Sequence, residues 1–175
     1  MLLTIVVILV VLIAGLLAYA ATRPDSLRVE RTDRIMAPAD RIFPLINDLH
    51  SWGSWSPYER YDAAMKKVFS GAPLGKGAVY TWDGNAKVGA GRMEIIESTT
   101  PSRIVIKLDF VRPYEGHTTA TFNLTPSADG TSVSWTMVGP SSFMTKLMGI
   151  FMNMDKMIGD DFARGLTNLR SVAER

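Results

Sequence analysis

Apolar positions follow three regimes along the chain. From Leu2 to Ala21 they are continuous: 20 residues carry no charge, and only Thr4 and Tyr19 are polar. At about 1.5 Å rise per residue, a helix of that length spans about 30 Å, the hydrocarbon thickness of a bilayer. From Leu27 to Met137 the apolar positions fall in short runs that alternate, the signature of half-buried strands. From Ser142 to Arg175 they recur at spacings of three and four, which predicts one long helix.

The alternating region predicts about seven strands. Leu27, Val29 and Ile35 share one face of the first. Arg31 and Asp33 fall on that face by parity, so they either pair inside or a bulge resets the register, and a bulge or solvated strand end is the simpler expectation. Pro38 opens a helix whose stripe is Ile42, Phe43, Leu45, Ile46 and Leu49, and Pro44 keeps it short or kinked. His50 to Tyr58 is an aromatic segment with helix breakers, expected to be a packed connector. Strands follow over Met65–Ser70, Ala78–Trp82, Gly91–Ser98, Ile104–Phe110, His117–Thr125 and around Val133–Met137. Their turns are short, so neighbours must be antiparallel. The core faces are Ile104, Ile106, Leu108 and Phe110, then Ala120, Phe122 and Leu124, then Val133, Trp135 and Met137.

In the C-terminal segment, Leu147, Phe151, Met154, Ile158, Phe162, Leu166 and Leu169 form the apolar stripe. Met144, Met148, Met152, Met154 and Met157 fall among them, so the inner wall is expected to be rich in methionine, which adapts to irregular gaps and varied ligands. Gly149, Gly159 and Gly165 cost about 1 kcal/mol each against Ala in a helix interior, which points to close packing or a bend.

This order of elements predicts an α+β fold over residues 27–175, joined by a linker at 23–26 to an N-terminal membrane helix at 1–22. The alternative for the first segment is a secretory signal, since Ala18-Tyr19-Ala20 resembles a cleavage site. The run is long for a signal core and no Lys or Arg precedes it, which favours an uncleaved single-pass anchor. Arg23, Arg28 and Arg31 follow it, so the positive-inside tendency places the remainder in the cytoplasm, with a periplasmic or extracellular side as the alternative.

Composition narrows the chemistry. The chain has no cysteine, so disulfides and thiolate chemistry are excluded. Its net charge is +2, without the clustered basic face of a nucleic-acid binder, so no nucleic-acid partner is expected. His50 and His117 stand far apart without companion ligands, and no metal or cofactor is expected. Asp160 and Asp161 read as solvated charge. No nucleophile–base set can be named. What remains is a hollow between sheet and helix. Trp55, Tyr58, Tyr80, Trp82, Phe110, Phe122, Trp135, Met144, Met148 and Phe151 are expected to line it, with Tyr114 and His117 as polar groups at its mouth.

Three stretches carry a resemblance. Ile35-Met36-Ala37-Pro38-Ala39-Asp40-Arg41-Ile42-Phe43, Trp52-Gly53-Ser54-Trp55-Ser56-Pro57 and Gly75-Lys76-Gly77-Ala78-Val79-Tyr80-Thr81-Trp82, with the last hairpin and the terminal helix, resemble the START/Bet v 1-like (SRPBCC) superfamily. The similarity is specifically to its polyketide cyclase/dehydrase and lipid-transport family and spans Leu27 to Ala173. It implies a helix-grip fold: a curved antiparallel sheet wrapped around a long C-terminal helix, enclosing a cavity for lipids, sterols or polyketides. Members bind, transfer or cyclise such molecules, related domains bind proteins, and the family has no universal catalytic set to carry over. The expectation is therefore a membrane-anchored domain that binds a small hydrophobic ligand. The alternatives are a cyclase-type enzyme, using groups such as His117, Tyr114, Glu115 or the Arg31/Asp33 pair, and a protein-interaction module.

Overall fold

A computed structural model describes residues 1–175. The leading apolar run forms helix α1 (Leu2–Ala21). It is the one helix long and apolar enough to cross a membrane. Of its residues only Ala20 is buried, with Leu16 half-buried one turn earlier.

Seven strands follow: β1 (Ser26–Ile35), β2 (Lys66–Gly71), β3 (Ala78–Asp83), β4 (Ala90–Thr99), β5 (Arg103–Arg112), β6 (Gly116–Ser127) and β7 (Gly130–Pro140). They make one antiparallel sheet in the order β1-β7-β6-β5-β4-β3-β2. The only non-local pairing, β1 with β7, brings the two ends of the folded region together. Between β1 and β2 lie α2 (Ala39–Asn47), a 3₁₀ turn (Leu49–Ser54) and the one-turn α3 (Tyr58–Tyr61). Pro38 caps α2, as its position predicts. The aromatic connector is more regular than expected, because Trp52 and Trp55 are both buried and their indole N–H groups donate to Ile46 O and Leu45 O at 2.9 Å each. Those bonds pin the turn against α2.

The C-terminal segment departs from the single helix that its periodicity predicts. It is two helices, α4 (Phe143–Phe151) and α5 (Met154–Ala173), separated at Met152–Asn153. Met152 takes extended backbone angles and Asn153 caps α5, its side chain accepting from Lys156 N at 2.9 Å. Apolar spacing continues across this break, so periodicity alone could not reveal it.

Helix α5 lies across the concave face, mainly over β1. Two of its glycines are contact points. A Cβ at Gly165 would stand 2.7 Å from the Trp135 ring, and one at Gly159 would overlap the Arg31 guanidinium. Gly149 in α4 meets nothing. The register of β1 against β7 is unbroken, so no bulge resets Arg31 and Asp33. Both stay on the concave face and are paired with α5. Arg31 donates to the Asp155 carboxylate at 2.9 Å and to its carbonyl at 3.0 Å, while Arg170 lies 3.0 Å from Asp33. Ion pairing across the sheet–helix seam thus replaces the apolar contact that β1 would otherwise make there.

The two ends of the sheet differ. At the distal end lie the β2–β3, β4–β5 and β6–β7 connections, and there the link after β1 meets the C-terminus of α5, where Glu174 accepts from Met36 N at 2.8 Å. At the other end, the start of β1, the end of β7 and the β5–β6 turn lie beside the exit of α1 and the start of α5. The core is closed at the first end and half-open at the second.

Candidate functional site

The middle of the concave face is filled. Trp52, Trp55, Phe122, Trp135 and Phe162 form one aromatic cluster, with Trp135 stacked on Phe162 at 4.0 Å and 7°. Trp55 and Phe122 are fully buried. Of the residues expected to line a hollow, Trp55, Phe122 and Trp135 are therefore the packing between sheet and helix. The space beneath the C-terminal half of α5 is occupied by side chains, contrary to the expectation of an unfilled gap along the whole helix.

Toward the α1 end the packing thins. Leu27, Leu108, Phe110 and Met137 on the sheet, Tyr58 on α3 and Ile158 on α5 pack against the core but remain half-buried. Alternation places Leu108 and Phe110 on the same face as Ile104 and Ile106, and Met137 on the face of Trp135. Tyr80 and Trp82 are buried on β3 beside this patch, and Phe110 meets Trp82 edge to face at 5.7 Å. Two polar atoms on this face are buried without a partner: the indole N–H of Trp135 and the hydroxyl of Thr118. They flank the Ala120–Met137 pair in the register. An unpaired buried donor costs about 1–3 kcal/mol.

A polar rim surrounds the same end. Tyr80 Oη donates to Glu59 at 2.7 Å, and Lys67 completes the pairing of that nearly buried carboxylate. Tyr61 Oη donates to Asp161 at 2.6 Å, and Arg164 also reaches Asp161. Asp161 is thus engaged rather than solvated, since α3 packs over it. Asp160 does stay at the surface, paired with Lys156 at 2.8 Å. Burial, reinforced by Glu59, pushes the Tyr80 phenol well above its ordinary range. Burial first and the charge of Asp161 second do the same to Tyr58. Both phenols therefore stay protonated at neutral pH, and Tyr80 serves as a neutral donor to Glu59.

Other expected site residues lie elsewhere. His117 sits on the convex face, because it pairs with Asp109 in the register and both alternate away from the core. Its Nδ1 is 2.7 Å from Asp109 Oδ1. His117 is therefore not a polar group of the concave mouth. Tyr114, in the β5–β6 turn, is exposed. Met144 and Phe151 are exposed on α4, and Met148 is half-buried there. Met152 and Met157 are exposed too, so the methionine-rich wall is not an interior wall. Helix α4 has turned off the sheet at the Asn153 break and packs beside α1 instead. Leu108 and Met137 belonged to the expected core faces but not to the expected site. Glu59, Lys67 and Thr118 have no distinguishing sequence signal, because only tertiary packing brings them to this end.

Two principal hollows accompany this arrangement. One of about 560 Å³ lies at the elbow of α4 and α5, between Arg23, Arg28 and Leu27 on one side and Lys146, Phe151 and Met154 on the other. A smaller one of about 150 Å³ sits at the β2 edge by His50 and Phe69.

The sequence model of the family described as polyketide cyclase/dehydrase and lipid transport matches residues 26–174. The chain belongs to that family. Solved structures share the fold. The di-domain ARO/CYC BexL from the BE-7585A biosynthetic pathway is 16% identical, with a TM-score of 0.66 over 90% of this chain and 53% of that one. Protein CV1439 from Chromobacterium violaceum is 16% identical, with a TM-score of 0.60 over 87% of this chain and 99% of that one. The Aha1 dimer from Colwellia psychrerythraea is 14% identical, with a TM-score of 0.58 over 85% of this chain and 96% of that one. At such identities the likeness concerns the fold. Comparison with curated proteins gives no match.

Proposed function

We propose that this protein is a membrane-tethered domain that binds a small hydrophobic or lipid-like molecule at the half-open end of its concave face, with α1 as the single-pass anchor. The observation that carries the reading is the patch of Leu108, Phe110, Met137, Tyr58 and Ile158, which packs against the core yet stays partly uncovered. Family membership supports the same class of ligand. Covering about 250 Å² of apolar surface contributes about 6 kcal/mol before association costs, enough for useful affinity without any chemistry.

The test uses the full chain purified in mild detergent. Dansyl-undecanoic acid is titrated while its emission is followed, and native mass spectrometry looks for a co-purified apolar mass. Saturable binding is expected, weakened at least tenfold in Met137→Arg and Leu108→Arg with folding retained. Absence of saturable binding, or full binding in both variants, removes the reading.

A further inference from the structure

Helix α4 is an anomaly of composition. Six of its nine residues are large and apolar (Phe143, Met144, Leu147, Met148, Ile150 and Phe151), yet none of the helix is buried. Phe143 is 48%, Met144 55% and Phe151 72% exposed. Contiguous apolar surface of that kind marks a binding surface or an aggregation hazard in a soluble protein. Its one charged residue is turned away. Lys146 is tied to Asp25 in the segment after α1, and its side chain is only 10% exposed.

The helix is also two-sided. Thr145, Lys146, Gly149, Ile150 and Phe151 line the 560 Å³ hollow, whereas Phe143, Met144, Leu147 and Met148 lie outside it. Four of the six large apolar side chains are thus turned away from the hollow. What lies beside it is α1, the candidate membrane span, whose buried Ala20 and half-buried Leu16 mark the touching turn. Unpaired Arg23 stands at the same level, lining the hollow. Apolar side chains flanked by a basic residue at the end of a spanning helix are what the headgroup boundary of a bilayer accepts.

We infer that α4 is an interfacial membrane helix, seated in the same leaflet of a phospholipid bilayer as the C-terminal turn of α1, so that the hollow at the α4–α5 elbow opens onto lipid. This rests on α1 being the anchor and adds a second, independent membrane contact made by the folded domain. Continuity with α1 selects the bilayer over a protein partner: a protein covering α4 would have to compete with lipid already around the exposed Leu17 and Tyr19 of the same turn of α1. Seated this way, the half-open end of the concave face looks toward the membrane and the closed end toward water.

The experiment uses the absence of native cysteine. Single variants Met144→Cys, Phe151→Cys, Leu9→Cys and Leu74→Cys of the full chain are labelled with NBD and reconstituted into vesicles of phosphatidylcholine and phosphatidylglycerol, some carrying nitroxide-labelled lipid. Leu9 reports on α1. Leu74 is an exposed apolar residue, 56% accessible, at the distal end of the sheet. Blue-shifted, nitroxide-quenched emission is expected at positions 9, 144 and 151, with no quenching at 74. Quenching at 9 without quenching at 144 and 151 overturns the inference while leaving the anchor intact. No quenching at 9 overturns the anchor and the inference with it. Equal quenching at 74 overturns the inference as well, because adhesion to the bilayer would not then be a property of α4.

Discussion

Gly165→Ala should destabilise the protein even though alanine favours helix. The backbone angle at Gly165 is ordinary, so alanine gains about 1 kcal/mol of helix propensity. Against this, the new Cβ would lie 2.7 Å from the Trp135 ring and 3.2 Å from Pro57 Cδ, where undisturbed contacts begin near 3.4 Å. The indole cannot yield cheaply. It is stacked on Phe162 at 4.0 Å, tilted against Phe122 at 4.8 Å and set edge-on to Trp55 at 5.7 Å. Forcing an extra methyl into packing of this density costs about 1–3 kcal/mol. Because the obstacle is a rigid, packed ring, the cost falls at the upper end of that range, so the net expectation is a loss of about 2 kcal/mol, a fall in Tm of about 4–8 °C for a domain of this size.

The assay is thermal unfolding of the full chain in mild detergent, followed by circular dichroism and tryptophan emission. Gly159→Ala is the internal control. There the obstacle is the far end of the Arg31 side chain, a flexible group that can swing into water. Exposed ion pairs contribute little, so helix propensity nearly cancels the loss and Tm should hardly move. An unchanged or raised Tm for Gly165→Ala would refute the idea that the α5 backbone is seated directly on Trp135.

Three further outcomes follow from the same packing. Trp55→Phe should cost about 1–3 kcal/mol more than Trp135→Phe in chemical denaturation, because it orphans the Leu45 carbonyl, whereas the Trp135 N–H has no partner to lose. Asn153→Ala removes the side-chain cap of α5 and should lower stability by about 0.5–2 kcal/mol in the same measurement. Asp155 is held below the ordinary carboxylate range by its hydrogen bond to Arg31, with partial burial opposing. Its contribution is thus complete above about pH 4 and is lost as pH falls through the lowered folded value. Asp155→Asn should flatten the acid limb of the stability profile below about pH 4, and an identical acid limb would count against the pairing.

Much of the fold is legible because strand alternation is strict. Leu108 and Phe110, or Trp135 and Met137, can face only one way once Ile106 and Val133 are inside. Parity also carries Arg31 and Asp33 to the concave face, and the expectation of a bulge failed only because their partners, Asp155 and Arg170, lie more than 120 residues away. Helical spacing is a weaker guide. Phe151 and Met154 keep the three-residue interval through a segment that is not helical at Met152, so the stripe continues while the axis does not. Asn153, a good N-cap followed by Asp155 in the first turn, was the local signal of that break. Where methionines point was not legible, since a helix that has left the sheet presents its apolar side outward with the same sequence that would line a cavity. His117 was placed by its position near a hairpin rather than by parity, and parity sends it to the convex face.

The composition of the two C-terminal helices changes abruptly at the break, and a change of surroundings accounts for it. Helix α5 alternates its buried stripe with Lys156, Asp160, Arg164 and Arg170, the pattern of a helix half in water. Helix α4 offers only Lys146, turned back to Asp25. A hydrophobic guest leaving a bilayer through water would expose each methylene at about 0.8 kcal/mol, so an eight-carbon chain would meet a barrier of about 6 kcal/mol, more than four decades in rate. With α4 seated in lipid under the proposed arrangement, the elbow hollow, Leu27 and the half-buried patch of Leu108, Phe110 and Met137 lie at one end of the sheet, and that end faces the membrane. The chain between Met152 and Asn153 then marks the boundary of two solvents, which one straight helix could not serve.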